Sequence, residues 1–90
     1  MSAKAEISWK RQRADGVRVQ VYVQHVSKQW RFFVRERRYD NWQPVPHPPL
    51  EDWLALLDAV QRRIARRRSR PEEEGRLRKI ISELFPEVKV

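Results

Sequence analysis

Apolar and polar residues alternate along the first half of the chain. From Val17 to Val23, every second residue is valine, which is the pattern of a β-strand with one buried face. Two further runs rich in Val, Ile, Trp, Phe and Tyr flank this segment, and the short stretches "ADG" and "HVSKQ" separate the three. The pattern predicts a three-stranded antiparallel meander with strands at about 5–13, 17–26 and 29–39.

The valine alternation also predicts how the first two strands pair, because a shift of one residue would turn every side chain to the other face. A three-residue loop, Ala14-Asp15-Gly16, pairs Trp9 with Val21, whereas a two-residue loop would place Lys10 opposite Val21. We prefer the three-residue loop, since Gly16 stands where such hairpins need a residue in the left-handed region.

For the second connection, a tight Ser27-Lys28 loop pairs Val23 with Phe32. Neither loop residue favours positive φ, so a longer loop of the same parity remains open. Either loop gives the predicted sheet the same core face, made of Ile7, Trp9, Val17, Val19, Val21, Val23, Trp30, Phe32 and Val34.

The second half of the chain predicts helices. Four prolines between 44 and 49 indicate an extended connector over 40–49, with room for a short edge strand near Trp42 to Val45. Apolar residues then recur at spacings of three and four, and Pro71 interrupts the pattern, which predicts helices at about 50–68 and 71–85. The two apolar stripes are Leu50, Trp53, Leu54, Leu57, Val60 and Ile64, followed by Leu77, Ile80, Ile81, Leu84 and Phe85.

The expected fold class is therefore α+β, a single domain over 1–90 in the order β-β-β-α-α, with a fourth strand as an option. The first helix is expected to pack on the valine face of the sheet. Ser69 and Arg70 are alternative N-caps of the second helix, because Ser69 matches a capping box with Glu72 while Pro71 at the first helical position favours Arg70.

The opposite face of the sheet carries the residues with the clearest functional chemistry. Tyr22 and Phe33 lie opposite each other at its centre, and Arg31 and Arg35 flank Phe33. Bases of a single strand stack on aromatic rings, and arginine neutralises phosphate, so we expect this face to bind single-stranded DNA or RNA. An ordinary cross-strand pair, a covered face, or a sheet that enters the major groove of duplex DNA are the alternatives. The candidate residues are Lys10, Arg18, Gln20, Tyr22, Arg31, Phe33, Arg35 and Arg37.

Charge supports a polyanionic partner. The chain has a net charge of +8, and residues 1–48 contribute ten basic against four acidic side chains. The segment from Arg62 to Arg70 contains six arginines, more than the dipole at the carbonyl end of the first helix requires. Within this cluster, the candidate auxiliary phosphate contacts are Arg62, Arg63, Arg66 and Arg70.

Catalytic and metal-binding patterns are not found in the sequence. There is no cysteine, the two histidines His25 and His47 lie apart from clustered carboxylates, and Gly16 and Gly75 cannot build a phosphate loop. We therefore expect no enzyme activity, no cofactor, no metal and no small-molecule substrate.

No apolar run is long enough to cross a membrane and no signal peptide is evident, so a cytoplasmic location is expected. The alternative function is a protein-interaction or homodimeric assembly module.

Overall fold

The computed structural model describes residues 7–26, 29–68 and 70–90. It has four antiparallel strands in the spatial order β1-β2-β3-β4, followed by two helices, which confirms the α+β class and the optional fourth strand. The elements are β1 (Ile7–Gln12), β2 (Arg18–Val26), β3 (Gln29–Arg35), β4 (Gln43–Val45), α1 (Leu50–Ala65) and α2 (Pro71–Leu84). The chain divides into two compact units, Met1–Pro48 with the sheet and Pro49–Val90 with the helices.

The first hairpin has the three-residue loop that the sequence predicts. Trp9 pairs with Val21 and Ile7 with Val23. The Arg13 N–H donates to the Val17 carbonyl at 2.8 Å, which closes the loop, and Gly16 has φ +86°. A glycine fits this left-handed position because a side chain would be strained there.

The second hairpin has the predicted register as well. Val23 pairs with Phe32, and the last pair before the connection is Val26 with Gln29. The proposed Ser27-Lys28 loop itself lies outside the described residues.

The third strand is shorter than expected and ends at Arg35 rather than near residue 39. Residues 36–40 turn the chain back toward β4. The backbone N–H of Arg37 donates to Asp40 Oδ2 at 3.1 Å, and the backbone N–H of Asp40 donates to the Arg37 carbonyl at 3.0 Å. The prediction that Arg37 lies on the sheet face is therefore wrong, because a carboxylate three residues further on satisfies its amide and favours a turn.

One face of the sheet is buried, as the alternation predicts. Its buried positions are Ile7, Val19, Val21, Val23 and Phe32. Trp9, Trp30 and Val34 are half-buried, and His25 stacks on Trp30 with ring centroids 3.9 Å apart. Val17 was expected in the core, but it precedes β2 and is 37% exposed.

The buried face of α1 is rotated relative to the predicted stripe. Leu56 is completely buried, although the predicted stripe omits it, and Leu54 is exposed, although the stripe includes it. Leu54 shares an i, i+4 row with Asp58 and Arg62, which are also exposed, so it lies on the solvent side of the helix. The buried residues of α1 are Asp52, Trp53, Leu56, Leu57 and Val60.

Helix α1 ends three residues earlier than predicted. The backbone N–H of Arg68 donates to the Arg63 carbonyl at 2.7 Å, and the backbone N–H of Arg67 donates to the Ile64 carbonyl at 2.9 Å. These two bonds form a Schellman motif, whose left-handed residue is Arg67 with φ 61°. The arginine cluster therefore contains the end of the helix.

Helix α2 begins at Pro71 with Arg70 as its N-cap, which resolves the alternative in favour of Arg70. Ser69 lies outside the described residues. Leu77 and Ile81 are buried, as predicted, whereas Leu84 is 55% exposed at the last position of the helix. The remaining members of the predicted stripe, Ile80 and Phe85, are half-buried.

A polar bridge joins the two helices. Gln61 Nε2 donates to Glu74 Oε2 at 2.9 Å, and Arg78 donates to the same oxygen at 2.7 Å. The hydrogen bond from Gln61, followed by that from Arg78, lowers the pKa of Glu74. This carboxylate is thus stabilised in its charged form.

Candidate nucleic-acid interface

Strand pairing brings most of the predicted site residues together on the polar face of the sheet. Lys10 of β1 pairs with Gln20 of β2, and Gln20 pairs in turn with Arg35 of β3. Tyr22 pairs with Phe33, as the register requires. The face is thus continuous across three strands.

An aromatic cluster occupies the centre of this face. The ring centroids of Tyr22 and Phe33 are 6.0 Å apart, and those of Tyr22 and Trp42 are 5.2 Å apart. All three residues are half-buried. We call Tyr22, Phe33 and Trp42 the aromatic cluster.

The sequence reasoning missed Trp42, although a signal for it was present. Pro44 pairs with Phe33, so position 42, two residues earlier, has the same parity as a residue on the polar face. An edge strand near Trp42 was predicted, but without its register the parity could not be assigned.

Hydrogen bonds and a cation–π contact fix the side chains around the cluster. The guanidinium carbon of Arg35 lies 4.2 Å from the centre of the Trp42 ring, and Arg35 Nε donates to Gln20 Oε1 at 2.9 Å. Gln24 Nε2 donates to the Tyr22 hydroxyl at 3.1 Å. Arg35 is therefore held in one orientation with its charge at the surface of the sheet.

An open depression of about 640 Å³ lies on the same side of the sheet unit. Four of its lining residues are cationic and one is acidic, and this acid, Glu36, already pairs with Arg13 at 2.9 Å. The depression therefore presents excess positive charge. We call it the basic depression, and its lining residues are Lys10, Arg18, Val19, Gln20, Arg35, Glu36 and Arg38.

Arg38 was not predicted as a site residue, and Arg31 does not line the depression. A strand continued to residue 39 would have placed Arg38 on the core side, so the early end of β3 accounts for the omission. Arg31 is exposed and pairs with Gln24, away from the depression.

Arg13 has a structural role beside the depression. It donates to Asp15 Oδ2 at 3.2 Å, and this hydrogen bond raises the pKa of the guanidinium. The Val17 N–H donates to Asp15 Oδ1 at 3.0 Å, which, together with Arg13, lowers the pKa of Asp15. Arg13 thus links the first hairpin loop with Glu36.

The four predicted auxiliary arginines have different environments. Arg66 and Arg70 are exposed, and Arg62 is exposed but pairs with Asp58 at 2.9 Å. Arg63, although predicted as a phosphate contact, is half-buried, and its Nε atom is buried without a hydrogen-bond partner in the described part of the chain. Arg66 and Arg70 are therefore the better placed of the four to meet a ligand.

The described residues contain neither a metal-binding group nor a membrane-spanning helix. Within 7–26, 29–68 and 70–90, no three His, Asp or Glu side chains form a group that could hold a metal ion. No helix in these ranges has the length and apolar character needed to cross a membrane.

Comparison with protein-family models, with curated proteins and with solved structures gave no match.

Proposed function

We propose that this protein binds single-stranded DNA or RNA through the polar face of its sheet. The basic depression is the observation that carries the proposal. Lys10, Arg18 and Arg38 line it together with Arg35, and its one carboxylate is already paired. A polynucleotide supplies the regularly spaced negative charge that such a surface attracts.

The neighbouring aromatic residues favour a single strand over a duplex. Arg35 joins the basic depression to the aromatic cluster, because it lines the first and lies over Trp42 of the second. In a single strand the bases are free to stack on rings beside the phosphate contacts, whereas in a duplex they are stacked on one another. Readout of a duplex uses cations and amides and does not need these rings.

Fluorescence anisotropy with labelled single-stranded DNA, single-stranded RNA and duplex DNA, at low and at physiological salt, tests the proposal. The double variant Arg18→Gln/Arg38→Gln removes two exposed cations from the depression. We expect it to weaken single-strand binding about tenfold or more at low salt, as loss of two phosphate contacts would.

The matched control is Arg76→Gln/Lys79→Gln, which removes two exposed cations from α2. It has the same net charge as the depression variant and should stay within about twofold of the wild type. If the wild type does not bind any of the three nucleic acids at low salt, the proposal is wrong.

A second candidate function is homodimeric assembly, and one observation favours it. Leu84 of α2 is 55% exposed and Leu54 of α1 is 39% exposed, so each helix presents a large apolar side chain to solvent. Sedimentation equilibrium tests this candidate: a dimer that Leu84→Gln converts to a monomer would support it. A wild type that stays monomeric at every concentration would exclude it.

A further inference from the structure

One aromatic ring in the sheet unit is almost fully exposed. Tyr39 is 92% exposed, whereas the residues of the aromatic cluster are half-buried and the Tyr22 ring already contacts the other two rings. An exposed tyrosine alone is common on protein surfaces. Tyr39 differs from such a residue because it lies beside the basic depression.

Tyr39 lies in the turn that borders the basic depression. Glu36 and Arg38 line the depression, and Tyr39 is the next residue after Arg38, with its Cα about 3.8 Å further along the chain. Two hydrogen bonds between Arg37 and Asp40, of 3.1 Å and 3.0 Å, close the turn around it. The backbone that carries the ring is therefore fixed before any ligand arrives, which reduces the entropy lost on binding.

The aromatic cluster is less suited to take a base. Arg35 lies over the Trp42 ring, and the Tyr22 hydroxyl accepts a hydrogen bond from Gln24. A base that stacked there would have to displace contacts that the sheet already makes. The Tyr39 ring requires no such displacement, since nearly all of its surface is open to solvent.

We propose that Tyr39 is the base-stacking residue of the interface and that the phosphates next to the stacked base lie in the basic depression. This inference rests on the proposed function and names the residue whose contact with the strand requires a base. The Trp42 ring of the aromatic cluster also holds Arg35 in place beside the depression. The ligand is a single-stranded polynucleotide, and stacking does not depend on whether its sugar is ribose or deoxyribose.

Anisotropy with two oligonucleotides of equal length, one of them abasic throughout, tests the stacking role. We expect Tyr39→Ala to weaken binding of the normal oligonucleotide about 5- to 150-fold, the range for loss of one stacked base. Tyr39→Phe keeps the ring and should bind within about twofold of the wild type. Both variants should bind the abasic strand as the wild type does, because no base is present to stack.

The outcomes separate the two proposals. If the wild type binds and Arg18→Gln/Arg38→Gln weakens binding while Tyr39→Ala does not, the stacking role of Tyr39 is wrong and the proposed function stands. If the wild type binds no nucleic acid, both are wrong. Photocrosslinking with a 5-iodouracil-substituted strand gives an independent result: a crosslink at Tyr39 supports the inference, and one confined to Trp42 or Tyr22 overturns it.

Discussion

Gly16 and Gly75 are the only glycines in the chain, and their backbones differ in a way that predicts opposite effects of the same substitution. Gly16 has φ +86°, whereas Gly75 lies within α2, and an added Cβ would meet no atom within 4 Å at either position. We expect Gly16→Ala to lower the free energy of unfolding by about 1 to 2 kcal/mol and Gly75→Ala to raise it by about 0.5 to 1 kcal/mol. Urea unfolding followed by circular dichroism measures both, and two changes of the same sign would contradict the expectation.

Arg67 is a second position where the backbone conformation favours glycine. It is the left-handed residue of the Schellman motif with φ 61°, while its neighbour Arg66 has φ −93°. Arg67→Gly should therefore raise the free energy of unfolding by about 1 kcal/mol, because it removes the Cβ from a strained position. Arg66→Gly removes the same charge without relieving strain and should bring no gain, so equal melting temperatures for the two variants would refute this interpretation.

At the residue scale, the sequence predicts what depends on local chemistry. Gly16 could be placed in its loop because the left-handed region favours glycine, and Pro71 could be placed at a helix start because it lacks an N–H. Arg67 could not, since its left-handed φ comes from the hydrogen bonds that end α1 and not from its side chain. Trp42 was missed for a related reason, because its face depends on the pairing of a three-residue strand.

At the scale of elements, the two helices share one polar bridge that predicts a pH dependence. The hydrogen bonds from Gln61 and Arg78 hold the pKa of Glu74 below its ordinary value of 4.5. A carboxylate with a lowered folded-state pKa stabilises the fold above its unfolded-state pKa, and this contribution is lost as the pH falls through the lowered value. The bridge should therefore support the helix pair at neutral pH, and this support should be lost as the pH falls below 4.5 and through the lowered pKa of Glu74.

The variant Glu74→Gln isolates this contribution. We expect it to melt at a lower temperature than the wild type at pH 7, and the difference to shrink as the pH is lowered through the pKa of Glu74, since the wild-type carboxylate is then protonated too. The control Glu72→Gln removes an exposed carboxylate from the same first turn of α2. A difference between wild type and Glu74→Gln that does not change with pH would show that the bridge is not electrostatic.

Strands were easier to predict than the orientation of α1, and the reason is periodicity. A strand has only two faces, so the run from Val17 to Val23 fixes the parity of both hairpins, and Gly16 then selects the loop of the first. A helix has a continuous range of orientations, and α1 carries apolar residues at Leu54, Leu56 and Leu57, which together span more than one face. Tertiary packing decides among them, and Leu56 is buried while Leu54 is not.

At the scale of the whole molecule, the charge is unevenly divided between the two units. Residues 1–48 have a net charge of +6, and residues 49–90 have ten basic and eight acidic side chains, a net charge of +2. The division between the two compact units falls at the same point, between Pro48 and Pro49. The sheet unit should therefore contribute most of the electrostatic attraction for a polyanion, and the arginine cluster of the helical unit should contribute less.

The salt dependence of binding measures this division. For single strands, the slope of log K against log salt changes by about 0.7 for each phosphate contact. Arg18→Gln/Arg38→Gln should therefore reduce the slope by about 1.4. Arg66→Gln/Arg70→Gln, which removes two exposed arginines near the helix ends, should reduce it by less.

The quadruple variant Arg18→Gln/Arg38→Gln/Arg66→Gln/Arg70→Gln tests whether the two units contact the same strand. If both units contact the same strand, its slope should fall by the sum of the two separate reductions, because each lost phosphate contact releases its own counterions. An unchanged slope in Arg66→Gln/Arg70→Gln would mean that neither arginine contacts phosphate. Arg66, the C-cap of α1, is favourable at that carbonyl end without any ligand. A larger reduction there than in the sheet variant would reverse the assignment of main and auxiliary contacts.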